Sequence, residues 1–146
     1  MRYEQIMLDL NSLSGPWMGW SIQDGLRISE RMKLTIVDSV IFGTGSDQDG
    51  EFELSGQFQL RHERVTLTRV YVVTTEPTQS GVGIPYDYDG KWDGQMISGM
   101  WHPRHDSNYG GPFEMWPARD EDIESLSLEA LFQQDLALPR ASSRDR

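Results

Sequence analysis

The stretch "EFELSGQFQL", residues 51–60, alternates without a break. Phe52, Leu54, Gly56, Phe58 and Leu60 fall in one phase, and Glu51, Glu53, Ser55, Gln57 and Gln59 in the other. Successive side chains of an extended chain point to opposite faces, so this spacing describes a strand with one buried and one wet face. A half-wet strand belongs to an antiparallel sheet rather than a parallel one. Asp49-Gly50 stands directly before it, and Asp-Gly is a preferred pair for a tight hairpin turn.

Working outward, "RVTLTRVYVVT" from Arg64 puts Val65, Leu67, Arg69, Tyr71 and Val73 on one face and Thr66, Thr68, Val70, Val72 and Thr74 on the other. Both faces are partly apolar, which predicts a strand covered on each side. Further strands are expected at "WMGWSIQ" from Trp17, "RMKLTIV" from Arg31, "SVIFG" from Ser39, "YDYDGKW" from Tyr86, "QMISGMW" from Gln95 and "GPFEMWP" from Gly111. Asp24-Gly25, Asp49-Gly50, Asp89-Gly90, Asp93-Gly94 and Gly110-Gly111 supply turn chemistry between them. A meander of seven or eight short strands is most economically a closed up-and-down barrel or a sandwich, because closure removes exposed edges.

Two flanking segments break the period of two. Tyr3, Ile6, Met7 and Leu10 have helical spacing, so a short amphipathic helix is expected within residues 1–14. Leu128, Leu131, Phe132 and Leu136 repeat that spacing, which predicts a C-terminal helix from Ile123 or Ser125 to Leu138 and a tail beyond it, within residues 119–146. The domain proper is residues 15–118.

Composition narrows the function. A chain of 146 residues builds one core comfortably and two with difficulty. It has no cysteine, which removes disulfides, thiolate metal sites and cysteine nucleophiles and is compatible with a reducing compartment. Glu4 and Asp9 interrupt the opening residues, so no secretory signal is expected, nor any bilayer-spanning stretch. A cytoplasmic protein is the resulting expectation. The net charge of −10 argues against nucleic acid as a partner, because phosphate binding needs clustered Lys and Arg.

The motif Leu/Ile-Ser-Gly occurs at Leu13, Leu54 and Ile97, about forty residues apart, the period of a propeller blade. Two periods cannot close a propeller, and the residues between the copies are dissimilar. The second and third copies are instead read as inward glycines, Gly56 and Gly99, that let a strand bend or make room for a ring.

Gly15-Pro16-Trp17 has the Gly-x-Trp form that opens the first strand of calycin barrels such as lipocalins and avidins. Together with "GSDQDGEFELSG" (residues 45–56), "YDGKWDGQMISGMW" (residues 88–101) and "GPFEMWP" (residues 111–117), it resembles a group of uncharacterised bacterial calycin-like proteins over residues 15–117. The resemblance implies a barrel able to hold a small ligand, with Trp17 packed across one end. In calycins a basic residue from a late strand covers that tryptophan, and "GPFEMWP" contains none.

No catalytic constellation emerges. Ser55 and Ser98 fall on the outward phase of their strands, and there is no Gly-x-Ser-x-Gly elbow. Asp47-Gln48-Asp49-Gly50 has its glycine at the fourth position instead of the sixth that a calcium loop requires, so it reads as a hairpin turn. His102 and His105 lack a third histidine or a cysteine, so neither a metal nor a cofactor is expected. Arg69 in an inward phase demands partners, either an anionic ligand group or an internal carboxylate with stacking on Trp17 or another ring.

The expectation is a non-enzymatic calycin-like barrel holding a small apolar or amphipathic ligand against Phe58, Arg69, Tyr71 and Trp101. The alternative is a filled barrel acting as a protein-interaction or structural module, including a homo-oligomer.

Overall fold

The computed structural model describes residues 10–119 and 121–122. Eight strands follow one another: β1 (Gly15–Gln23), β2 (Leu26–Val37), β3 (Val40–Asp47), β4 (Gly50–Gln59), β5 (Arg64–Thr74), β6 (Pro85–Trp92), β7 (Ile97–Pro103) and β8 (Gly111–Pro117). Each pairs antiparallel with the next, and β8 returns to β1 with Trp17 opposite Pro117, so the sheet closes into a barrel. A sandwich is thereby excluded. The expected C-terminal helix lies outside the described residues, as does all but the last part of the expected N-terminal one. No helix among the described residues is long and apolar enough to cross a membrane.

The hairpins follow their turn chemistry in most places. Gln23 pairs with Leu26 across Asp24 and Gly25, whose φ values of 52° and 77° make the left-handed turn that suits twisted strands. Asp47 and Gly50 flank the β3–β4 turn, and the Asp47 Oδ1 accepts from the backbone N–H of Asp49 (2.8 Å) and Gly50 (3.2 Å). Asp89-Gly90 is an exception. Both residues lie inside β6, where Gly90 pairs with Gly99, and an added Cβ at Gly90 would sit 2.7 Å from the Ser98 carbonyl oxygen and 3.0 Å from the Phe113 ring. Gly90 serves close approach of β7 and packing of Phe113, which local turn chemistry does not reveal.

Gly56 and Gly99 do face inward, but backbone takes the space a side chain would need. A Cβ on Gly56 would lie 1.9 Å from the Thr66 carbonyl oxygen, and one on Gly99 2.0 Å from that of Asp89. They are sites of close strand approach, and the expectation of room made for a ring is corrected accordingly.

Antiparallel order places the β2–β3, β4–β5 and β6–β7 turns at one end of the barrel and the other four turns at the opposite end. The first end is plugged. Leu10 is buried there, Trp17 is fully buried 6.1 Å from Trp92, and the Trp17 indole N–H donates to the Leu13 carbonyl at 2.8 Å. Ile36, Ile41, Phe58, Val65 and Ile97 complete an apolar lower half. The outward face of β5 is not covered as expected, since Val72 is 48% exposed.

Candidate functional site at the open end of the barrel

The upper half of the interior is polar. β2 keeps a strict alternation from Ile28 to Ile36, which turns Glu30 inward. β3 brings Asp47 to the rim, and β5 turns Arg69 and Tyr71 inward. Arg69 donates from both terminal nitrogens to Glu30, at 2.9 Å to Oε1 and 2.8 Å to Oε2, and its Nη1 lies 3.6 Å from the Asp47 carboxylate. Two charges removed from water need this geometry, because desolvation otherwise exceeds their attraction. Gly19 on β1 helps, since a Cβ there would come within 3.2 Å of the Glu30 carboxylate.

The guanidinium carbon lies 3.8 Å from the Phe52 ring centroid and 4.7 Å from that of Tyr88. Of the two readings of Arg69, internal pairing is therefore what the structure shows, with Phe52 and Tyr88 as the stacking rings in place of Trp17. Burial opposes the guanidinium charge, but the Glu30 carboxylate overrides it and raises the Arg69 pKa above its ordinary value. One donor is left over: Arg69 Nε is buried with no partner among the described residues.

Above this floor opens a cup of about 260 Å³. Arg69, Tyr71, Tyr86, Tyr88 and Trp101 line it from the barrel wall, with Ser21, Gln23, Asp47 and Asp49 beside them. The β5–β6 loop contributes Thr75, Glu76, Ser80 and Gly81. Gln79 braces that loop by accepting from the Thr74 N–H at 2.8 Å and donating to the Thr74 and Glu76 carbonyls at 2.7 and 2.6 Å. Three other depressions, of about 410, 390 and 390 Å³, lie along β1 to β5; the first is lined in part by the buried Trp17, Met32 and Phe52, and the second by Glu30 and Asp47.

Burial sets the chemistry of the cup. It raises the Tyr71 pKa above the ordinary value, Arg69 opposes the rise, and the hydrogen bond from the Tyr71 hydroxyl to Asp47 adds to it. Tyr88 is likewise raised, first by burial. Both phenols are held neutral. Asp49 is raised by burial and then by the nearby Asp47 charge.

Of the expected ligand-facing residues, the structure brings Arg69, Tyr71 and Trp101 to one cup and places Phe58 elsewhere. Phe58 sits one residue before the end of β4, opposite Val65 in the plugged half, and does not line the cup. Sequence reasoning missed Glu30, Asp47, Asp49, Tyr86 and Tyr88. Glu30 had a readable signal: β2 begins at Leu26 instead of Arg31, and in that longer frame Glu30 shares the phase of Ile28 and Met32. Asp47 was read only as a turn residue, and it serves both as turn acceptor and as cup wall. His102 points outward on β7, and among the described residues no three His, Cys, Asp or Glu side chains gather as metal ligands.

No protein-family model matches the chain, and no curated protein matches it. The functional reading therefore rests on the fold and the cup.

Proposed function

We propose that the chain is a non-enzymatic, calycin-like barrel that binds one small amphipathic molecule in the cup at its open end. The observation that carries this reading is the cup itself, a cavity at the open end of the barrel whose wall sets aromatic rings beside polar groups. Four rings, Tyr71, Tyr86, Tyr88 and Trp101, offer the apolar part of such a molecule its contact. The volume of about 260 Å³ falls just under the ordinary range of about 300–1,000 Å³ for ligand pockets, which favours a small molecule over a lipid. The polar groups of the floor hold one another, Arg69 with Glu30 and Tyr71 with Asp47, an arrangement suited to a rigid binding surface.

Native mass spectrometry of freshly purified protein tests the reading. A small-molecule adduct that disappears in Tyr86→Ala supports it. Protein free of adduct, together with a Trp101 indole resonance unmoved across a library of small metabolites, overturns it.

The interaction-module alternative draws on Val37, Val40 and Phe42, which are exposed side by side on the outer face of β2 and β3. A single-chain mass by light scattering at high concentration counts against a homo-oligomer.

A further inference from the structure

We infer that the apolar patch of Val37, Val40 and Phe42 is the docking site of the chain's own C-terminal segment, residues 123–138. The inference is independent of the cup. Val37 pairs with Val40 beside the β2–β3 turn and Phe42 follows on the same outward face, the three being 52%, 47% and 47% exposed. Residues 123–138 lie outside the described residues, and in their sequence Leu128, Leu131, Phe132 and Leu136 repeat at helical spacing. Such a helix has one apolar face to bury.

The described residues fix where that segment sets out. After β8 the backbone turns back onto the barrel: the Ala118 N–H donates to the Pro16 carbonyl at 2.9 Å, and the Arg119 guanidinium carbon lies 5.2 Å from the Trp116 ring centroid. The Trp116 indole N–H donates to Asp122 Oδ2 at 3.3 Å, and the same oxygen accepts the Arg119 backbone N–H at 2.9 Å. A carboxylate that reaches back three residues to a backbone N–H marks the first turn of a helix, and Glu121 and Asp122 are helical. Trp116 stands on the outward phase of β8, so the segment leaves from the outer face of the barrel.

Reach and charge then select the patch. Trp116 pairs with Met18, Met18 with Arg31 and Arg31 with Ser46, so Phe42 lies three strands across and four residues along, toward the plugged end. That offset is about 19 Å at ordinary strand spacing and rise. A helix rises about 21 Å from Asp122 to Leu136, which brings Phe132 and Leu136 to the patch. Between Asp120 and Leu138 every charged residue is acidic, and the path crosses Arg31 and Lys33, exposed on the outward phase of β2. A second copy fits less well. Three side chains fall short of the roughly 800 Å² per partner of a stable interface, and each copy carries a net charge of −10. A tethered segment needs less area, because its effective concentration is about millimolar.

The chain has no cysteine, so Gln133→Cys in the full-length protein accepts a single nitroxide label. The amide resonances of Val37, Val40 and Phe42 are expected to lose their intensity to the label, while those of Asp87 and Asp89 on the outer face of β6 keep theirs. Combining Leu128→Ser with Phe132→Ser in the labelled chain is expected to restore the patch resonances, and so is Phe42→Ser for Val37 and Val40.

Mixing isotope-labelled chain without nitroxide and nitroxide-labelled chain without isotope separates the two occupants. Patch resonances that lose intensity in this mixture as much as in the singly labelled chain place a second copy on the patch and overturn the inference. Patch resonances at full intensity in the labelled chain overturn it too, since the segment then lies elsewhere. Loss of intensity that survives the Leu128 and Phe132 substitutions shows that the apolar face does not hold the segment, and it overturns the docking as argued.

Discussion

Arg69 on β5 reaches across the lumen to Glu30 on β2 and holds it with two hydrogen bonds of 2.9 and 2.8 Å. The two strands are not neighbours, so this pair ties opposite walls at the level where the packed apolar half gives way to the cup. Removing one partner leaves a charge buried and unpaired. Arg69→Leu is expected to lower stability by about 3–5 kcal/mol, since it strands Glu30 and weakens the surroundings of Asp47. Arg69→Leu combined with Glu30→Leu removes both charges, so the pair costs less than the sum of the single changes. Urea unfolding of the three variants gives the coupling directly, and additivity within about 0.5 kcal/mol would show that the pair does not act as a unit.

The Tyr71 hydroxyl donates to Asp47, and burial holds the Tyr71 and Tyr88 phenols above their ordinary value of 10.0. The native protein therefore keeps protons that the unfolded chain releases, and stability falls as pH rises past about 10. Phenolate absorbance should show two of the five tyrosines titrating only with loss of structure. Tyr71→Phe removes the donor and is expected to cost about 2 kcal/mol at neutral pH, because Asp47 loses a partner in a buried setting. Reversible titration of all five tyrosines in folded protein would contradict the burial of these two.

How far the sequence discloses this architecture depends on the range of the interaction. Alternation in residues 51–60 and the Asp-Gly pairs are local, and they lead to the meander and to the inward phase of Arg69, Tyr71 and Trp101. The Arg69–Glu30 contact joins residues 39 positions apart, so it becomes visible only once closure sets β2 and β5 across the lumen. The start of β2 at Leu26 was masked by "RISER", where charged residues surround a single inward Glu30. Phe58 shows the complementary limit: a correct inward phase says nothing about depth along the barrel. Depth, not phase, separates the plug from the cup.

Gly56 and Gly81 give contrasting expectations. A methyl on Gly56 would lie 1.9 Å from the Thr66 carbonyl oxygen, which is backbone and cannot swing away. Gly56→Ala is expected to cost about 3 kcal/mol through forced separation of β4 and β5. Gly81 has ordinary space, with its nearest atom the Thr74 Cγ2 at 3.6 Å, so Gly81→Ala should stay within about 0.5 kcal/mol. Thermal unfolding of both variants checks the contrast, and a neutral Gly56→Ala would mean that β4 and β5 approach less closely than described.

Asp49 carries a sign that links stability to the cup. Burial, then repulsion from Asp47, raises its pKa above the ordinary 3.8, so the folded chain holds this proton to higher pH than the unfolded chain does. The stabilisation it contributes is complete below 3.8 and is lost as pH rises through the raised value, which makes the ionised group unfavourable at neutral pH. Asp49→Asn is expected to raise the melting temperature at pH 7, with the gain shrinking toward zero as the pH falls below about 4. A variant that melts lower than wild type at pH 7 would show that the Asp49 carboxylate makes a favourable contact that outweighs its desolvation.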